Sequence, residues 1–250
     1  MVFATGRRQD RLDEQSKTLN SDRLVTFALD VTDDASIKNA VSLIDEHTGG
    51  HGLDVLVNNA GYGHSGPAEF HSVEEWRGQF ETNVFGLVAV TQAFLPKMRE
   101  RGSGRIINVS SVVSRIAFQF QAAYCASKWA VEGFNDALRR EVSPFGVSVV
   151  SIQPGVIRTE FQSIAFDQFS TEGTGPYRKS VDAYYKFVGK LAASGPGPDV
   201  VAKAIVKAVS KKRPKARYVV PARNLMLILM QRLLPARWFD GMISRVMGTR

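Results

Sequence analysis

Along this 250-residue chain, short apolar runs alternate with longer segments of helical period. Val2–Thr5 is a short apolar run, and a charged helical stretch follows from Arg8 to about Lys17. Leu24–Leu29 reads as the next strand. Asp34 to about His47 reads as a helix, with Ile37, Val41 and Ile44 on one face. Leu53–Val57 predicts a buried strand that stops at Asn58-Asn59. The spacing of Trp76, Phe80, Val84, Leu87, Val88, Leu95 and Met98 predicts one long helix from about Val73 to Arg101. Arg105–Val109 is a strand, Ala122–Val142 a helix, and Val147–Ile152 a strand ended by Pro154-Gly155. β-Branched runs separated by helices require crossover connections, so the pattern predicts an α/β fold, a doubly wound parallel sheet with helices on both faces. In such sheets ligands bind beyond the carboxyl ends of the strands, so residues directly after strands are the first candidates for function.

From Arg158 the strand pattern lapses. Seven aromatics (Phe161, Phe166, Phe169, Tyr177, Tyr184, Tyr185 and Phe187) fall within residues 158–190. Two compatible readings are helices packing on the body and an apolar lid, spanning 158–197, over a greasy substrate. Ser194-Gly-Pro-Gly-Pro reads as a linker, Asp199 as the cap of a helix running to about Ser210, and Arg217–Val220 as a last strand. Residues 1–221 are thus read as one domain, followed by a tail over 222–250.

Hydrophobic residues at 44% and charged residues at 22% allow a sizeable core and exclude wholesale disorder. The single cysteine, Cys125, excludes an intramolecular disulfide and a multi-cysteine metal site, and the four histidines form no ligand pair on a helix face. No metal is expected. The net charge of +8 divides unevenly. Residues 201–250 hold 12 Lys/Arg against Asp240 alone, while residues 1–200 hold 20 against 23 acidic residues. The body carries no interleaved basic reading face, so nucleic acid is not expected as a partner. The tail sets Leu225–Met230, Leu233 and Leu234 beside Arg223, Arg232, Arg237 and Arg245. It reads as a helix pair over the substrate mouth or as an amphipathic element resting on an anionic membrane. The aliphatic stretch is far shorter than the roughly 18 residues of a membrane span, and the N-terminus has no apolar signal core. A cytoplasmic protein, with membrane association through the tail as the variant, is expected.

Tyr124 and Lys128 lie one helical turn apart and share a face. A neighbouring ammonium favours a phenolate and can lower the phenol's pKa by about 1–3 units, which suits proton transfer to or from an alcohol or carbonyl oxygen. Ser110 and Ser111 end the strand Arg105–Val109, where a hydroxyl can orient the same oxygen or simply cap a turn. Asn83 sits inside the long apolar helix, so a buried amide there needs either a structural bond or a water to hold.

Asn58-Asn59-Ala60-Gly61, Asn83-Val84-Phe85-Gly86, Ser111, Tyr124-Cys125-Ala126-Ser127-Lys128 and Pro154-Gly155-Val156-Ile157-Arg158-Thr159 occur in this order. Together they resemble the short-chain dehydrogenase/reductase family over roughly residues 2–220, with a layout closest to its steroid and retinol dehydrogenase branch. The resemblance implies Tyr124 as general acid/base, Lys128 as pKa depressor and ribose ligand, Ser111 as carbonyl-orienting group and Asn83 as holder of a relay water. It implies that Asn59, Ala60 and Gly61 line the adenosine side of a dinucleotide. Pro154, Gly155, Ile157 and Thr159 would flank the nicotinamide, and Asp30-Val31 would contact adenine. Arg7 and Arg8 stand where an acidic residue would hold a ribose 2′-hydroxyl and instead match a 2′-phosphate, so the expected cofactor is NADP(H).

The family's opening strand, Gly-rich turn (Thr-Gly-x-x-x-Gly-x-Gly) and helix have no counterpart, because Met1 falls at what resembles its second strand. Gly49-Gly50-His51-Gly52 does not replace that turn, since it precedes a strand. Three explanations are a late start-site assignment, a truncated product, and a degenerate relative that binds a lipid or a partner without turnover. The expected function is hydride transfer between NADP(H) and an alcohol or carbonyl of a bulky apolar substrate. The alternative is a non-catalytic binding protein. The family's habit of pairing through its two long helices implies a homodimer or tetramer.

Overall fold

A computed structural model describes residues 1–161 and 174–249. Among the described residues are six strands: β1 (Val2–Gly6), β2 (Leu24–Ala28), β3 (Val55–Asn58), β4 (Gly104–Val109), β5 (Val147–Pro154) and β6 (Arg217–Val220). Their partners include the helices α1 (Gln9–Leu19), α2 (Asp34–Thr48), α3 (Val73–Phe80), α4 (Leu87–Glu100) and α5 (Ala122–Val142). They are followed by α6 (Arg178–Ala193), α7 (Asp199–Ser210), α8 (Asn224–Leu233) and α9 (Ala236–Met247). All strand pairs are parallel, in the orders β1-β2 and β3-β4-β5-β6.

The period of two along each strand sends alternate residues to opposite faces. Ile106 and Val149 face one layer, where they meet Ile44 of α2, Phe94 and Met98 of α4, and Leu138 of α5. Ile107, Val150 and Ile152 face the other, against Ala204 and Ala208 of α7. The sheet is therefore covered on both sides, as the strand–helix alternation predicts.

Sheet pairing breaks between β1 and β3. A cavity of about 1410 Å³ lies there, walled by Val2 and Phe3 on one side and Val55, Leu56 and Val57 on the other. Val2 and Val57 are left exposed on facing strand edges, as expected of strands without a ladder partner. Phe3 and Phe27 still tie β1 and β2 to the body through the layer that contains α2 and α4.

Several boundaries differ from the sequence reading. The strand read as Leu53–Val57 begins at Val55, and β5 runs on to Pro154. The stretch read as one helix from Val73 is interrupted by a π-helical turn, Glu81–Gly86. The wide turn carries Asn83 inward, and Gly86 lets the backbone press on β2's exit. A Cβ at Gly86 would stand 2.7 Å from Val31 Cγ2. Asp199 does not cap α7. Pro198 holds that position, and Asp199 lies in the first turn, where its charge still complements the helix N-terminus.

The tail forms α8 and α9, and Leu227, Ile228, Phe239, Ile243 and Met247 share a core cluster with Ile116 and with Tyr184 and Val188 of α6. Among the described residues no helix is long and apolar enough to cross a membrane.

Candidate active site

Strand β4 is pinned between β3 and β5, so its carboxyl end has a fixed position. Ser111 follows it and does two things. Its Oγ accepts from Val113 N at 3.2 Å, capping a short 3₁₀ turn, and donates to the Pro154 carbonyl at 3.3 Å. The hydroxyl also acts on Tyr124, favouring its ionised form. Capping, one of the two roles the sequence allows, is present in this side chain.

Helix α5 presents Tyr124 and Lys128 to the same spot, both buried. Lys128 Nζ donates to the Val109 carbonyl at 2.9 Å and stands 5.9 Å from the centre of the Tyr124 ring. The electrostatics depart from expectation. Burial pushes the Tyr124 phenol up to about 12, against a smaller downward pull from Ser111, and Lys128 does not contribute to the shift. Burial likewise lowers Lys128 to about 8, opposed by the field of Glu132. The expected depression of Tyr124 by its neighbour is thus absent from the protein alone, because desolvation of both groups outweighs their mutual interaction.

Asn83 is 1% exposed and fully engaged by protein. Its Oδ1 accepts from Tyr62 N at 3.0 Å, while Nδ2 donates to the Tyr62 carbonyl at 2.9 Å and to Ser127 Oγ at 3.1 Å. A structural bond, one of the two roles open to a buried amide, is present. Asn83 does not line the cleft; it clamps the turn after β3 onto α5. Gly61 in that turn has to be small, since a Cβ would lie 2.9 Å from Asn83 Oδ1 and 3.6 Å from Lys128 Nζ.

Ser111, Tyr124 and Lys128 border a cavity of about 420 Å³ together with Pro154, Gly155, Ile157 and Thr159. This is the size range of small-molecule sites. Its further walls are largely apolar and include Phe118, Phe161, Phe187 and Met247. The Phe161 ring lies 5.5 Å from the Tyr124 ring. Of the seven aromatics read as lid or packing, Phe161, Tyr184 and Phe187 reach this cavity, and Tyr184 is also core. Tyr177 packs on Phe70 and Phe120, and Tyr185 belongs to the core around Tyr184. Phe166 and Phe169 lie outside the described residues.

The remaining predicted residues, Arg7, Arg8, Asp30, Val31 and Ala60, line the larger cavity between β1 and β3. Asn59 and Gly61 border both cavities, so the two adjoin at the turn after β3. Asp30 also serves its own turn, accepting from Thr32 N at 2.9 Å and Thr32 Oγ1 at 2.7 Å. The donor set fits a dinucleotide. Arg7, Arg8 and Arg11 offer guanidinium groups suited to phosphate. Gly61 opens a close approach beside Lys128 that any side chain would fill.

Sequence reasoning missed Phe118 and Met247 as cavity walls and Phe120 as a strained neighbour. Phe120 adopts φ 60°, uncommon for a bulky residue, and its carbonyl accepts from Gly66 N at 2.8 Å. It follows a stretch with no periodic signal, so only its proximity to Tyr124 could have drawn notice. Met247 comes from the far end of the chain, where no local pattern points to a site.

The profile of the short chain dehydrogenase family matches residues 1–168. Bovine 17-beta-hydroxysteroid dehydrogenase type 6 is 38% identical over 244 residues, covering 93% of this chain and 76% of that protein. Mouse retinol dehydrogenase 16 is 41% identical over 189 residues, covering 71% of this chain and 59% of that protein. The closed form of a serine dehydrogenase complexed with NADP⁺ superposes with a TM-score of 0.75 at 31% identity, covering 88% of this chain and 84% of that one. With its parallel α/β architecture, motif residues gathered at the strand ends and a matching profile over most of its length, the chain belongs to the short-chain dehydrogenase/reductase family of oxidoreductases.

Proposed function

We propose that the protein is an NADP(H)-dependent oxidoreductase that interconverts an alcohol and a carbonyl on a bulky apolar substrate. The observation that carries this reading is that Ser111, Tyr124 and Lys128 border one largely apolar cavity of about 420 Å³. A bound nicotinamide supplies or accepts the hydride; the chain supplies the proton and the geometry. Tyr124 is the acid/base, giving a proton to a carbonyl oxygen in reduction and taking it from the hydroxyl in oxidation. Ser111 donates to the same oxygen and stabilises its developing charge. Lys128 places a cation behind the phenol. Asn83 acts as a positioning residue that keeps the turn after β3 against Lys128. Arg7 and Arg8 favour a 2′-phosphate over a bare ribose, which supports NADP(H) over NAD(H). The apolar walls and the likeness to steroid and retinol dehydrogenases support a steroid, retinoid or lipid ketone as substrate class.

Two finer points belong to the same reading. The exposed rings of Phe85, beside α4, and Trp129, on α5, favour self-association through those long helices. The exposed apolar face of α8, flanked by arginines, favours peripheral contact with anionic membrane.

Reduction of trans-1-decalone, a bicyclic apolar ketone, by NADPH tests the assignment. Tyr124→Phe should lower kcat by at least about 100-fold with NADPH affinity retained. Equal rates in the two proteins would remove Tyr124 from the chemistry. Absence of saturable NADPH binding in a fluorescence titration would favour the binding-protein alternative, for which the interrupted sheet beside the nucleotide residues is the supporting observation.

A further inference from the structure

One buried charge cluster lies outside the residues assigned above. Glu132 sits on α5 one helical turn beyond Lys128 and is 6% exposed. Its Oε1 accepts a short hydrogen bond from Ser151 Oγ on β5. Its Oε2 accepts from Arg217 Nε on β6 at 2.8 Å. Arg217 Nη2 pairs in turn with Asp136 Oδ2 at 2.6 Å, and Asp136 Oδ1 with Arg139 Nη2 at 2.9 Å. The carboxylate of Glu132 is therefore held from two strands.

Lys128 has the complementary problem. Its ammonium is buried, is not in an ion pair within 4.0 Å among the described residues, and has the Val109 carbonyl as its recorded acceptor. A lone buried ammonium readily gives up its proton. Among the described residues, α5 brings the Tyr124 ring and, a turn on, Glu132 to its side; β4 brings the Val109 carbonyl, and Gly61 separates it from the uncharged Asn83 amide. Glu132, a turn along α5, works against the desolvation that lowers Lys128.

We propose that Glu132 is a positioning residue: one turn behind Lys128, its fixed carboxylate keeps that buried side chain an ammonium in the neutral range. This hold on Lys128 stands apart from the acid/base reading above. A purely structural Glu132, tying α5 to β5 and β6, would influence stability without influencing the titration of Lys128.

Heteronuclear NMR of lysine-labelled, ligand-free protein follows the Lys128 side-chain amine directly. Glu132→Gln keeps an acceptor for Ser151 and Arg217 and removes the charge. The Lys128 titration midpoint should fall by about one pH unit. Arg217→Met leaves Glu132 less neutralised and should move the midpoint upward, so the pair of variants stays informative where one of them folds poorly. A Lys128 midpoint unchanged in both variants overturns the proposal, whatever their melting temperatures. If Lys128 shifts as expected in a protein that reduces no ketone, Glu132's hold on Lys128 stands and the acid/base reading fails instead.

Discussion

The two parts of the sheet are built to different standards. In the four-stranded part, Ile106, Ile107, Val150 and Ile152 are at most 1% exposed, and Ser111 follows its inner strand β4 while Tyr124 and Lys128 sit on α5, packed against β5. In the two-stranded part no residue of β1 or β2 is fully buried, and Arg7 and Arg8 at its edge are exposed. Two paired strands alone are marginally stable, whereas interior strands covered on both faces are not. The contrast follows the chemistry each part has to do. Proton transfer needs hydroxyls held to within fractions of an ångström, and the inner strands provide that. A phosphate is recognised by charge at longer reach, which exposed arginines can supply from a looser support.

The largest effect expected is on folding. Ile152→Ala removes a fully buried side chain from the four-stranded part and should destabilise the protein by about 2–5 kcal/mol in urea unfolding. Val25→Ala in β2, whose residue is only half-buried, should destabilise it by under about 1 kcal/mol. Amide exchange should show the same order, with β1 and β2 opening at least about 10-fold more often than β4 and β5. Equal protection across both parts would erase the contrast.

A smaller effect comes from the buried lysine. Lys128 is lowered from 10.5 to about 8. Between those values the unfolded chain binds a proton that the folded one does not, so this group's effect on stability improves as pH rises through that window and opposes folding below it. Tyr124 behaves oppositely. Raised from 10.0 to about 12, its contribution is intact below pH 10 and is lost as pH climbs toward 12. Lys128→Met should therefore unfold at higher urea concentration than the parent at pH 7, by on the order of 1 kcal/mol, with the advantage gone by about pH 10. The same variant should lose ketone reduction. Stability unchanged between pH 6 and 10 would mean that the ammonium is not desolvated as its burial indicates.

These contrasts were unequally visible in the amino-acid order. The alternation of β-branched runs and helical periods carried the sheet, its covering helices and the whole of α5, because each signal is local and repeats. Ser111, Tyr124 and Lys128 were legible because their spacing places them at one strand end and one helix face. Three things were not. The π turn at Glu81–Gly86 leaves the apolar period almost intact, so only Asn83 hinted at it. The rise of the Tyr124 pKa comes from burial by residues such as Phe161, which lie far along the chain. The cluster of Glu132, Ser151 and Arg217 joins a helix to two strands, and no single segment contains its logic.

At the looser end of the molecule, the nucleotide side should respond to charge alone. The double substitution Arg7→Ala with Arg8→Ala should weaken NADPH binding about tenfold, or about 1.4 kcal/mol, in a fluorescence titration. NADH binding and thermal stability should be little changed, since both side chains are exposed. A parallel loss for both nucleotides would deny these arginines a part in choosing the 2′-phosphate.

The smallest effect on folding is expected in the tail, which combines the features of both parts. One face of α8 carries Leu227, Ile228 and Met230 into the core beside α6, while Leu225, Met226, Leu229 and Leu233 are exposed on the other. Arg223, Arg232 and Arg237 surround that outer face, and Trp238 beside them is 72% exposed. An apolar strip rimmed by arginine suits the boundary of an anionic bilayer, where the side chains enter the acyl region and the guanidinium groups meet phosphate. Leu229→Glu adds a charge to this face without entering the core. It should leave urea stability within about 0.5 kcal/mol of the parent and abolish co-sedimentation with vesicles containing phosphatidylserine. The same vesicles at high salt should release the parent protein in part, because the apolar contact survives screening and the arginine contact does not. Binding that is indifferent to Leu229→Glu would show the strip to be a surface of no consequence for lipid.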